Sequence, residues 1–220
     1  MTISEAVNTR HVVRKYINKP ISIETIGLLN ARISENNKNY ALAIQLVVND
    51  ESAFTTVTKL IRAKGIKNYL ILAGNDTPDL DEKLGYSGAD LMLYAQTLGL
   101  NTWWVGDTFN RKTINKVAKG EKVIGIIAVG YGALQGVPHK TKNPNDVSLY
   151  SNKAPEWFKN GVSAALLSPT AYNKQKFMIK GSENKVSLVC TNGIFSGVEF
   201  GLLKYHFEVG AGKENFEWVL

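Results

Sequence analysis

Three short apolar runs limit what this chain can fold into. Tyr69-Leu70-Ile71-Leu72-Ala73-Gly74, residues 102–105 and residues 123–129 are dense in aliphatic and aromatic side chains. The first ends at a glycine and the last at Gly130-Tyr131-Gly132. Runs this short and this continuous read as buried strands rather than helices. Helical patterns fill the spaces between them. Ser22 can cap a helix over residues 22–36, in which Ile23, Ile26 and Ile33 recur at helical spacing. Residues 41–48 read as a strand and 53–63 as a helix. A compact helix is predicted over 88–98, stopped near Gly99, and Thr108 is placed to cap another around 112–118. Strands mixed with helices imply a sheet covered by helices, in an α/β or α+β architecture.

Residues 138–152 are polar, basic and proline-containing, and form the best candidate for a connection between halves. Beyond it, 155–167 reads as a helix. Residues 177–179 and 185–191 read as neighbouring strands around a turn at 181–184. A last helix ends near residue 207, and 217–219 is a possible edge strand. The order helix, amide-rich loop, strand occurs at 28–48 and again at 162–179. Two such units can face each other across a ligand cleft, although chance similarity of common elements explains the pattern equally well. The division expected is residues 1–150 and 151–220, intertwined in one structural unit.

Several function classes are excluded or disfavoured. No stretch is long and apolar enough to span a membrane. No apolar signal run opens the chain, which points to the cytoplasm. The net charge is +7, but its lysines and arginines are scattered rather than gathered into a stripe, which disfavours nucleic acid. Cys190 is the only cysteine, and its apolar neighbours favour a buried thiol. His11, His139 and His206 lack metal-ligand spacing. No Gly-x-Gly-x-x-Gly follows the first strand and no phosphate-binding P-loop is present.

Two distant segments carry chemistry. In Arg10-His11-Val12-Val13-Arg14-Lys15-Tyr16, two arginines stand four apart and would share a helical face. Arginine engages phosphate bidentately, and His11 adds a donor. An exposed basic turn reads these residues equally well. Lys140 and Lys142 either close over the same phosphate or solvate their loop. In Ser168-Pro169-Thr170-Ala171-Tyr172-Asn173-Lys174-Gln175, proline fixes the backbone while Ser168, Thr170 and Asn173 offer donors and acceptors to a polar ring. An ordinary helix-to-strand loop is the alternative. Ser87 and Gly88 are expected ahead of a helix, where backbone N–H groups can approach a ligand. Trp103 and Trp104 point to opposite faces of a strand, one able to line a pocket.

Arg10, His11, Arg14 and Tyr16, followed by Pro20-Ile21, resemble the opening of the FMN-dependent nitroreductase family. Val12 stands where that family often has a serine. Residues 88–106 are similar to the family's helix, Leu-Gly-Leu turn and Trp-containing strand, and 125–132 to its central strand ending in Gly-Tyr. The family's Pro-Ser-x-x-Asn-x-Gln signature matches residues 34–40 poorly and residues 168–177 well. That relocation resembles a divergent single-chain branch with two related halves, in which His206-Phe207-Glu208 also fits.

The resemblance implies an α+β fold with mixed or antiparallel sheets flanked by helices, and FMN as cofactor. It implies hydride transfer from NADH or NADPH through flavin to a nitroaromatic, a quinone or a similar conjugated electrophile. The alternative is a noncatalytic flavin-binding or storage protein. It assigns cofactor contacts to Arg10, His11, Val12, Arg14, Ser87, Gly88, Lys140, Lys142, Ser168, Thr170 and Asn173, with no catalytic side chain. It makes a monomer feasible and leaves a homodimer possible.

Overall fold

A computed structural model describes residues 1–54 and 63–219. Most of the helix expected over 53–63 lies outside these residues. The chain opens with α1 (Ile3–Thr9), whose N-terminus is closed by a capping box: Thr2 Oγ1 accepts from Glu5 N, and Glu5 returns the bond to Thr2 N. An extended segment leads to α2 (Ile23–Tyr40). Ser22 caps α2 as expected, accepting from Thr25 N at 3.1 Å. The helix runs past residue 36 and shortens the strand expected over 41–48 to β1 (Gln45–Val47). The cause is Asn37, whose amide bonds both N and O of Ile44 and turns the chain there.

Next come β2 (Tyr69–Gly74), α3 (Leu80–Thr97), β3 (Asn101–Val105), α4 (Arg111–Val117) and β4 (Lys122–Gly130). Helix α3 starts at Leu80 rather than residue 88, so Ser87 and Gly88 sit inside it. It stops where expected, at Gly99 with φ 77°. Asn110, not Thr108, caps α4 by accepting from Thr113 N at 3.3 Å. The polar connection is irregular only to residue 143. Then Asn143 and Pro144 start a short helix, α5 (Pro144–Val147), and β5 follows (Ser148–Tyr150). Helix α6 (Glu156–Leu166), β6 (Phe177–Ser182), β7 (Lys185–Cys190), α7 (Ser196–Ala211) and β8 (Glu217–Trp218) complete the chain.

The described strands form two four-stranded sheets. The first has order β1-β2-β4-β3 and is antiparallel throughout. Both of its faces are covered. Tyr69, Ile71, Trp103 and Ile126 belong to one apolar cluster, and Leu70, Leu72 and Ile127 pack on the other side with Leu84 and Met92 of α3. This explains why its strands read as unbroken apolar runs. The second sheet, β5-β6-β7-β8, is mixed: β5–β6 and β7–β8 are parallel, and β6–β7 is a hairpin. Its apolar face packs on α6 and α7 through Val147, Phe158, Ile179, Leu188 and Phe207. The expected α+β class with antiparallel and mixed sheets is the one observed. Residues 148–150 belong to the second sheet, which therefore begins ahead of residue 151.

Helices α3 and α7 join the two parts by close approach. A Cβ at Gly85 would collide with Val198 O, and one at Gly201 with Glu82 O. Both obstacles are backbone, so neither can swing away. Gly201→Ala is expected to lower stability by about 1–3 kcal/mol, read by thermal or chemical denaturation.

Candidate functional site

Residues 10–16 are extended, not helical. Val12 bridges to Thr102, Lys15 to Lys64 and Tyr16 to Gly132, and Val13 N donates to Thr102 O at 3.2 Å. Arg10 and Arg14 therefore share a side through the two-residue period of an extended chain, not through a helical turn. Arg10, Val12 and Arg14 line one cleft of about 280 Å³. His11 and Val13 are outside its lining; Val13 is in the core beneath the first sheet.

The second segment lines the same cleft. Pro169, Thr170, Ala171 and Tyr172 border it. A single chain thus brings both segments to one cavity. Trp103 and Trp104 both contribute to its lining, rather than one alone. The Arg14 guanidinium lies 5.4 Å from the Trp103 ring centroid, and Phe54 stacks on that ring at 6.1 Å. Trp104 packs on α3 at Gly88, where a Cβ would strike its ring.

That contact corrects the role expected of Ser87 and Gly88. Their backbone N–H groups lie within the helix ladder, where they face no ligand, and Gly88 serves to admit an indole. Ser87 is fully buried, with an Oγ lacking a hydrogen-bond partner.

Lys142 is a tether. Its backbone N donates to Gln175 Oε1 at 2.7 Å and its Nζ to Gln175 O at 2.8 Å. Lys140 contributes its carbonyl, which accepts from Asn173 Nδ2 at 2.8 Å and from Gln175 Nε2 at 3.0 Å. Asn173 is thereby turned to the connection, away from the cleft lining. Ser168 lies under Pro169, fully buried, its Oγ without a partner. Thr170 borders the cleft while its Oγ1 accepts from Gln175 N at 3.1 Å.

Gly106, Asp107, Thr108, Phe195, Val198 and Glu199 also line the cleft and were not expected there from the sequence. Gly106 directly follows β3, as Gly74 closes β2, and that recurring glycine at a strand end was the available signal. A Cβ there would lie 2.8 Å from Phe195 Cε1. Glu199 had no local signal. Its carboxylate accepts from Ala171 N at 2.7 Å, and burial raises its pKa.

Charge decides what the cleft accepts. Arg10 is only 4% exposed, yet no hydrogen bond or ion pair engages its side chain among the described residues. Burial lowers its pKa to about 10, so it stays cationic at neutral pH. His11 has its pKa lowered by burial and by the charges of Arg10 and His139. Burial, with the charge of Arg10 adding to it, drives His206 down to about 3. Its Nδ1 donates to Leu202 O at 2.8 Å, leaving Nε2 buried and unpartnered. The unfolded chain protonates this imidazole near pH 6.5, and the folded chain only near pH 3. Protons are therefore taken up on unfolding between those values, and stability falls as pH drops through the window, by up to about 1.4 kcal/mol per pH unit. His206→Asn is expected to flatten the wild-type slope, read from denaturation midpoints between pH 4 and 6.5.

No group of three or more His, Cys, Asp or Glu suited to a metal occurs among the described residues. Burial pushes the Cys190 thiol up to about 12. No described helix is long and apolar enough to cross a membrane.

A family model described as "Putative TM nitroreductase" matches residues 2–211. The chain belongs to this nitroreductase family. A structure titled a putative nitroreductase from Thermotoga maritima superposes on it with a TM-score of 0.69 at 17% identity, over 97% of this chain and 85% of that one. A putative nitroreductase from Desulfovibrio desulfuricans, crystallised with FMN, gives a TM-score of 0.54 at 16% identity, over 67% of this chain and 95% of that one. One from Exiguobacterium sibiricum, also with FMN, gives 0.53 at 15%, over 66% and 95%. These likenesses establish a nitroreductase fold. No curated protein matches the chain. In this chain, segments 10–14 and 169–172, far apart in sequence, both line the cleft.

Proposed function

We propose that this chain is an FMN-dependent oxidoreductase that passes hydride from NADH or NADPH through flavin to a small conjugated electrophile such as a nitroaromatic or a quinone. The observation that carries this reading is Arg10, a buried guanidinium that lines the cleft with no hydrogen-bond or ion-pair partner among the described residues. An unpaired buried charge costs several kcal/mol, and a phosphate arriving at the cleft would offset that cost.

The residues fit the cofactor. Arg10 and Arg14 stand on one side of an extended segment, suited to a phosphate. Pro169, Thr170 and Ala171 present turn backbone and a hydroxyl oxygen to a polar ring edge. Trp103, Trp104 and Phe195 give the cavity apolar walls that exclude water. FMN, when bound, supplies the electron chemistry. The protein's own residues bind and orient it, and Glu199 fixes the loop backbone at Ala171. Of the residues expected at the cofactor, the proposed set keeps Arg10, Val12, Arg14 and Thr170.

Mixing the FMN-loaded protein with NADH or NADPH without oxygen tests the activity. Rapid bleaching near 450 nm, and recovery of colour on adding menadione or a nitroaromatic, is the expected result. A flavin that stays oxidised with both nucleotides overturns the reductase reading.

A further inference from the structure

Tyr172 is out of place by every local rule. It is 88% exposed, although it lines the cleft. Its backbone is left-handed, at φ 54° and ψ 22°. A bulky side chain is a conformational outlier there, where glycine or asparagine is the ordinary choice. Asn173 and Gln175 follow it in the same region, at φ 54° and 47°. The turn is held by surrounding tethers: Ala171 N to Glu199, Gln175 N to Thr170 Oγ1, and the Lys142–Gln175 bonds. The tyrosine itself adds little to that hold. Lys174 lies beside it, with Nζ 5.4 Å from the ring centroid. A strained backbone that lifts an unpacked aromatic ring to the mouth of a cavity indicates a task outside folding.

Resting on the flavoenzyme reading, we propose that Tyr172 is an aromatic platform at the cleft mouth, on which the flat ring of an incoming reactant stacks. The surroundings favour such a ring. Trp103, Trp104 and Phe195 line the same cavity. The electron acceptor and the nicotinamide both present such a ring and share this chemistry.

Two probes that oxidised flavin does not transform separate these sources: 4-nitrobenzoate for an acceptor and NAD⁺ for nicotinamide. Their Kd values are read from perturbation of the visible flavin spectrum in wild type and in Tyr172→Gly, Tyr172→Asn and Tyr172→Phe. Loss of one stacked ring is expected to raise Kd about three- to tenfold in the glycine and asparagine variants. The phenylalanine variant keeps its affinity. FMN retention stays unchanged in all three. The glycine and asparagine variants are also expected to melt about 2–4 °C higher, because both residues accept the left-handed backbone. Weakened 4-nitrobenzoate identifies the acceptor as the stacking partner, and weakened NAD⁺ identifies the nicotinamide. Unchanged Kd values for both probes overturn the platform. So does a lower melting temperature in both Tyr172→Gly and Tyr172→Asn, the mark of a packing residue. Failure to retain FMN in the wild type refutes the flavoenzyme reading instead, so the two failures are distinct.

Discussion

Replacing Arg10 with methionine is expected to strengthen the apoprotein and to weaken its grip on FMN. The two effects have one cause. Arg10 is buried, and no carboxylate or carbonyl among the described residues takes its charge. Methionine fills much of the same volume without a charge to desolvate. Substituting a buried ion by a well-packed apolar side chain stabilises by about 1–4 kcal/mol, and a gain at the low end raises the melting temperature by about 2–4 °C. The same change removes the guanidinium that meets the phosphate. Charge-assisted hydrogen bonds are worth about 1.5–3 kcal/mol each, so FMN affinity should fall by roughly 10- to 100-fold. Denaturation of the apoprotein and fluorescence titration with FMN measure the two quantities separately. A variant less stable than wild type, with FMN affinity intact, would mean that Arg10 braces the fold.

Asp90→Ala is expected to do the reverse, with a large loss of stability as its direct effect. Asp90 is 3% exposed on α3, and its two oxygens take four bonds. Arg32 donates from Nε and Nη2 at 2.8 and 2.6 Å, Asn36 Nδ2 at 2.7 Å and the Tyr205 hydroxyl at 2.5 Å. This one carboxylate ties α2, α3 and α7 together, and it raises the pKa of Arg32. Burial is the largest cause of the raised Tyr205 pKa, and Asp90 adds to it. Removing it strips the Tyr205 hydroxyl of its acceptor and leaves Asn36 Nδ2 only Arg32 O. Breaking a buried pair costs about 3–5 kcal/mol. Arg32 keeps about a third of its side chain exposed and can turn to water, which places the expected loss near 3 kcal/mol. That corresponds to a fall of about 6–12 °C in melting temperature. Asp90→Asn keeps the shape and loses the charge, so its loss should be smaller. A change below about 0.5 kcal/mol for Asp90→Ala would show that the network contributes nothing net.

The sequence was most legible where a local rule had one outcome. Ser22 caps α2, Gly99 ends α3, and the strands at 69–74 and 123–129 are buried on both faces, as their composition required. It was least legible where a residue answers to a distant partner. Gly85, Gly88 and Gly201 look like punctuation in a helical pattern, but each admits a neighbour: Val198 O, the Trp104 ring and Glu82 O. Reading Gly88 as the approach to a helix therefore misplaced Ser87 as well. Strand β5 has only three residues and exists because β6 offers it a parallel edge. Arg10 and Arg14 line one cleft, but from an extended chain bridged to Thr102 and Gly132 rather than from a helical face. Lys142 and Asn173 have the right chemistry for a ligand and spend it on each other's loops. Glu199 joins the site only because α7 meets the 168–175 turn.

The visible spectrum and bound flavin content of the purified protein test the central claim most directly. After reconstitution and removal of free cofactor, the preparation should be yellow. Flavin released by denaturation should chromatograph as FMN, at about one equivalent per chain, and Arg10→Met should retain far less. A colourless, folded protein that retains no FMN after repeated reconstitution would contradict the account.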